Sequence, residues 1–232
     1  MPEIELLWFP GTCSRVTLVA LEEIGKPFTT RLSPLARGTD SEFLSINPKG
    51  KVPVLMIDGT PLTETPAILT HLARLYPSAE LLPTGDPRVA IDALATMSWI
   101  AGGMHPSITR LRYPLRFCDT PGSADRTRTL AAEALRGCFE VAEERLADRE
   151  WLYDKWSVVD AYLLWAWFRA VGSGMDPRGL AGCAAHAERC ELRSSVARAL
   201  DREESTYAEM LAAGTLPVEL PPYQVGRTPT IT

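Results

Sequence analysis

The chain has 232 residues, 46% of them apolar, and a formal net charge of −5. That is long enough for more than one domain with a sizeable core. The acidic balance and dispersed basic residues argue against nucleic acid or an anionic bilayer as a partner, and no apolar run reaches the ~18 residues of a membrane span.

The acidic start Met1-Pro2-Glu3-Ile4-Glu5 is unlike a signal peptide. Cysteines at 13, 118, 138, 183 and 190 are odd in number and widely spaced. They fit a reducing cytoplasm better than a disulfide scaffold.

In chain order, Ile4 to Phe9 reads as a short apolar strand stopped by Pro10-Gly11-Thr12. Ser14 is placed to cap a helix running to Ile24, with Val16, Val19, Ala20 and Ile24 on one side and Gly25 closing it. Phe28 to Leu32 is a second strand, Pro34 to Gly38 a loop, and Ser41 to Ile46 one or two helical turns. Then comes Asn47-Pro48-Lys49-Gly50-Lys51-Val52-Pro53-Val54-Leu55, a turn running straight into a strand that ends at Ile57. Proline at a strand entry cannot donate to a ladder. A cis Val52–Pro53 bond would turn the backbone of Val52 outward. Asp58-Gly59 favours a hairpin into Pro61-Leu62. A helix follows from Thr65 to Leu75, ended by Tyr76-Pro77. The first unit therefore alternates strands and helices, with a hairpin near its end.

Pro77 to Pro87 reads as an ordered linker, and strand signals stop beyond it. Residues 88–102 are helical through Ile91, Leu94, Ala95 and Trp99, with Gly102-Gly103 as a break or bend. A long helix spans residues 125–148, with Leu130, Ala134, Cys138, Val141 and Leu146 at helical spacing. Ser157-Val158-Val159-Asp160 is a capping-box pattern, with Asp where Glu or Gln is usual. It opens a very apolar helix, expected at the centre of an all-helical domain. A short helix near Leu180–Ala187 and a last one through Val196, Leu200, Tyr207 and Leu211 complete the pattern. The predicted domains are residues 1–80 (α/β), 81–88 (linker), 89–212 (all-α) and 213–232 (tail). Cys183, His186 and Cys190 lack a fourth ligand, so no metal site is expected.

This organisation resembles the soluble glutathione transferase family. The proline-entry segment is similar to its cis-proline segment, and Glu64-Thr65 to its Glu-Ser pair. Pro10-Gly11-Thr12-Cys13-Ser14 is similar to the Cys-Ser turn of the bacterial beta-class enzymes, and residues 157–162 to the family's capping box. The resemblance covers roughly residues 4–205. It implies an α/β thioredoxin-like N-terminal domain, an all-α C-terminal domain, and glutathione as co-substrate.

Further roles follow from the resemblance. The backbone of Val52 beside Pro53 pairs with the cysteinyl part of glutathione as an added strand. Thr65, at a helix start, receives the γ-glutamyl carboxylate, and Glu64 answers the amine. Ser14 is the first choice for donating to the glutathione thiolate. Cys13 is the alternative, through a mixed disulfide. Lys51 and Arg37 are candidates for the glycyl carboxylate, and His105 for contact with glutathione or the second substrate. Arg110, Arg112, Tyr113 and Phe117 suggest an acceptor pocket with an apolar part and a positive rim.

The bland readings are a turn shaped by Pro53, an N-cap at Thr65, a small buried residue at Cys13, and a surface-loop histidine at His105. The lead expectation is a homodimeric enzyme adding glutathione to a small hydrophobic electrophile. The alternatives are a glutathione-dependent thiol transferase, peroxidase or ether-cleaving enzyme using Cys13, and a non-catalytic binding module of the same fold.

Overall fold

The computed structural model describes residues 2–33, 40–216 and 225–228. It divides into two units, Met1–Leu81 with Ser194–Gly226, and Leu82–Arg193 with Arg227–Thr232.

The first unit is built on β1 (Ile4–Trp8), an apolar run buried on both faces at Leu6, Leu7 and Trp8. β1 pairs in parallel with β2 (Thr29–Leu32) and antiparallel with β3 (Val54–Ile57), which pairs antiparallel with β4 (Thr60–Thr63). The sheet order is β2-β1-β3-β4. A parallel pair needs a crossover; α1 (Ser14–Ile24) supplies it and ends at Gly25 in the left-handed conformation. The β3–β4 hairpin turns through Asp58 at φ 47° and Gly59 at φ 76°, the two positive φ values that match strand twist. α2 (Ser41–Ile46) is capped by Asp40 and packs Phe43 against Leu7 and Val54. α3 (Thr65–Leu75) buries Ile68, Leu69 and Leu72.

Two features of this unit differ from the sequence expectation. The first two turns of α1 are buried all round, Arg15 and Thr17 included. The reason is the last helix of the chain, here α9 (Ser194–Ala212), which packs on α1. α9 thus groups with the α/β unit rather than with the other helices. Polar contacts reinforce the packing: Arg198 and Arg202 reach the Glu22 carboxylate at 2.8 and 3.0 Å, and Ser195 donates to Glu23. The second difference lies at the start of α1. Ser14 is its first residue, and its hydroxyl turns back to β1 instead of capping.

The second unit is helical: α4 (Pro87–Trp99), α5 (His105–Arg112), α6 (Ser123–Leu146), α7 (Val158–Val171) and α8 (Ala181–Glu191). Gly102-Gly103 do not break the chain's helical course. Residues Ile100–Met104 wind as a π-helix that joins α4 to α5. α7 is buried from Val158 to Ala170, as its apolar sequence requires. Its start carries the complete capping box: Ser157 Oγ accepts from Val159 N–H and Asp160 Oδ2 accepts from Ser157 N–H.

The buried faces of α4 and α6 are not the expected ones. α6 buries Ala131, Leu135, Phe139, Ala142 and Leu146. Leu130 and Val141 from the expected stripe are 48% and 49% exposed. α4 buries Ala93, Thr96 and Met97, and Ile91 is 63% exposed. Both helices therefore carry an apolar stripe besides the buried one. Among the described residues no helix is long and apolar enough to cross a membrane.

Candidate functional site

The sheet register brings three segments to one end of the α/β unit. Leu7 lies opposite Val54, and Val54 opposite Thr63. The turn after β1, the entry to β3 and the exit of β4 therefore lie side by side. They carry Cys13, Val52-Pro53 and Glu64-Thr65.

Asn47 shapes the entry to β3. It is buried; its Nδ2 donates to Lys51 C=O at 2.7 Å and its Oδ1 accepts from Lys49 N–H at 3.2 Å. Gly50 N–H donates to Asn47 C=O at 2.9 Å, and Gly50 takes φ 61°, where a side chain would be strained. The Val52–Pro53 peptide is cis. No described residue accepts from Val52 N–H, and Val52 C=O accepts from the Cys13 thiol at 3.4 Å.

Cys13 and Ser14 are neighbours, both buried, whose side chains turn to different partners. Ser14 is fully buried. Its Oγ accepts from Phe9 N–H at 3.3 Å, donates to Phe9 C=O at 3.1 Å and lies 2.5 Å from Thr12 Oγ1. It fastens the turn to the end of β1. Cys13 is 7% exposed and reaches across to the β3 entry.

Glu64 precedes α3 with φ 72°, uncommon for a residue with a side chain. Its carboxylate is exposed and meets Lys49 Nζ at 2.5 Å; Lys49 also donates to Thr63 Oγ1 at 2.6 Å. Thr65 is buried at the head of α3, and no side chain caps that helix. No described residue accepts from the N–H of Thr65 or Ala67, so the positive end of the helix faces outward with its donors available. Of the two cationic candidates, Lys51 has an exposed side chain, and Arg37 lies outside the described residues.

Sequence reasoning missed two members of this region. Lys49 gave a signal, a basic residue inside the turn, but its partner is 15 residues away. Glu203 gave none. It is fully buried in α9, where its carboxylate accepts from Arg15 Nε at 3.1 Å, Arg15 Nη2 at 2.5 Å and Gly11 N–H at 2.8 Å. It thus ties the turn that carries Cys13 to the last helix.

A family model for the glutathione S-transferase N-terminal domain matches residues 11–75, the stretch holding all three segments. Glutathione S-transferase GstA of Escherichia coli O157:H7 is 31% identical over 205 residues, 86% of this chain and 98% of the relative. The chain belongs to the glutathione S-transferase family. Two solved structures extend the comparison for this transferase. The beta-class glutathione S-transferase of Sphingomonas chungbukensis is 32% identical with a TM-score of 0.76, over 86% of this chain and 98% of that one. A glutathione transferase homologue from Sulfitobacter, solved with bound glutathione, is 29% identical with a TM-score of 0.78, over 87% and 99%.

In the helical unit of the transferase, His105 starts α5 with its ring edge-on to Trp165, centroids 4.7 Å apart. At the last turn of α5 and just after it, Arg110 lies 5.1 Å over the Phe117 ring, Arg116 lies 4.0 Å over Tyr113, and Arg112 Nε donates to Tyr113 Oη at 2.9 Å. Leu115 and Phe117 are 63% and 47% exposed there, giving an aromatic and cationic surface.

His186 belongs to a structural network. Its Nε2 is 3.0 Å from Asp160 Oδ1, which also accepts from Leu152 N–H at 2.8 Å. Burial pushes up the thiols of Cys183 and Cys190; Glu143 adds to the effect at Cys183 and Asp160 at Cys190. Both remain protonated packing residues.

Proposed function

We propose that this glutathione S-transferase binds glutathione along Val52 and at the head of α3, and adds its thiolate to a small hydrophobic electrophile. The cysteinyl backbone pairs with Val52 as an extra strand, the γ-glutamyl carboxylate accepts from Thr65 and α3 N–H groups, and Glu64 meets the amine. Lys49, already on Glu64, and the exposed Lys51 supply positive charge on this segment. In the reaction the glutathione sulfur forms a bond to carbon, the leaving group departs with its electron pair, and the thiol proton goes to solvent. His105 and the arginine–aromatic surface at the end of α5 are assigned to the acceptor, which favours an electrophile bearing an anionic group.

One observation carries the assignment at sulfur: Cys13, not Ser14, reaches the Val52 carbonyl. Ser14 then acts through the turn it fastens. The same contact supports a second reading, thiol transfer. A Cys13 thiolate attacks the sulfur–sulfur bond of a glutathione mixed disulfide, a new disulfide to Cys13 forms, and the other sulfur leaves as a thiolate.

Retention on immobilised glutathione tests the binding reading; failure to bind removes both enzyme readings. Cys13→Ala is expected to lower disulfide reduction more than 100-fold while conjugation falls less than tenfold. Equal loss of both reactions in Ser14→Ala, with Cys13→Ala near wild type, reverses the assignment.

The transferase is further assigned as a cytoplasmic homodimer. Five free cysteines support the compartment. The exposed Ile91, Leu94, Leu130 and Val141 support self-association. Light scattering of Leu130→Glu tests it; a monomer is expected, and an unchanged mass rejects that face.

A further inference from the structure

The Glu203 carboxylate has a fourth donor besides the three that link it to Arg15 and Gly11. After α9 the chain returns, and Gly226 N–H points to Glu203 Oε2 at 3.4 Å. Gly226 is buried and takes φ 78°. A Cβ built on it would lie 2.0 Å from Glu204 Oε1. Backbone therefore lies against α9 at a distance that glycine alone permits without displacing Glu204, in a conformation that side chains disfavour.

We propose that Gly226 is a positioning residue for the glutathione site, acting through Glu203 on the turn that carries Cys13. This rests on the reading that this turn meets glutathione. An ionised carboxylate offers about four lone-pair sites. Arg15 fills two, Gly11 one, and Gly226 closes the last while keeping water off the ion pair. With Gly226 withdrawn, water reaches Oε2, and the higher local dielectric weakens the Arg15–Glu203 attraction. The hold on Gly11 N–H loosens with it. Cys13, two residues further on, then leaves the Val52 carbonyl more often.

Two full-length variants test this. Gly226→Pro removes the N–H and forbids positive φ. Gly226→Ala keeps the N–H but strains the backbone and displaces Glu204. Iodoacetamide labelling followed by peptide mass spectrometry reads the rate at Cys13, with Cys183 and Cys190 as markers of general unfolding. Gly226→Pro is expected to label Cys13 at least threefold faster than wild type, with the two buried markers silent and Gly226→Ala in between. KM for glutathione is expected to rise at least threefold, with kcat changed less than twofold.

Wild-type Cys13 labelling in both variants overturns the proposal, whatever happens to Tm. So does acceleration matched at Cys183 and Cys190, because that reports global loosening. If the wild type ignores glutathione, the reading of the site falls, and the labelling rates still decide the role of Gly226.

Discussion

Two helix starts in this transferase use similar residues to opposite ends. α7 begins Ser157-Val158-Val159-Asp160, and its hydroxyl and carboxylate both turn onto its own first turn and the loop before it. α3 begins at Thr65, just after Glu64, and no side chain caps it. Glu64 instead turns out to Lys49. A helix start that holds a fold together satisfies its own donors. On the proposed reading, α3 leaves its donors for glutathione, at some cost in stability.

The comparison breaks first at Asp160. Asp160→Ala leaves His186, Leu152 N–H and Ser157 N–H buried without their acceptor. It is expected to cost about 3–5 kcal/mol, read as a lower urea midpoint, with KM for glutathione unchanged in the folded protein. Thr65→Val is the mirror case. It keeps the buried volume and removes the hydroxyl, so a roughly tenfold rise in KM for glutathione, about 1.4 kcal/mol, is expected with little change in the urea midpoint. A large stability loss with an unmoved KM would make α3 a structural start like α7. Ser157→Ala removes the hydroxyl that accepts from Val159 N–H and donates to Asp160 Oδ2, and is expected to cost about 1 kcal/mol, again without effect on KM.

The smallest effect concerns acid. Burial raises the pKa of Asp92, but hydrogen bonds from Arg145 and Tyr153 and the Arg145 charge outweigh it and hold the group below its ordinary 3.8. Its contribution to stability is present above that value and fades as pH falls through the lower folded-state value. Asp92 is half exposed, so Asp92→Asn is expected to remove only a shallow part of the acid-side loss in an unfolding series from pH 5 to 2.

The elements most legible in the sequence were those set by neighbours along the chain. β3 at Val54–Ile57 and α3 at Thr65–Leu75 fall where the turn residues and apolar spacing put them, and the capping box forms as its pattern implies. Long-range partners were not legible. Nothing around Glu203 announces Arg15, 188 positions away, and α9 reads as one more amphipathic helix although it packs on α1. The face of α6 failed for another reason. Its two apolar stripes differ by one position, and the bulkier residues 130 and 141 attract the eye over Ala131 and Ala142, whose small side chains pack inside. At the site, backbone chemistry was legible from Pro53 and the turn before it. The direction of the Ser14 hydroxyl was not, because it depends on where Phe9 and Thr12 end up.

The π-helix at Ile100–Met104 has a genetic consequence. Such a turn holds one residue more than an α-helical turn, and one residue is about 100° of rotation. Loss of a single codon at Gly102 or Gly103 would let the segment wind as ordinary α-helix with α5 facing as before and His105 still on the edge of Trp165, whereas the same loss inside α4, with the π-turn kept, would swing α5 by that angle. The π-turn is thus a place where a lineage could have gained one residue, and could lose it again, without re-aiming that face.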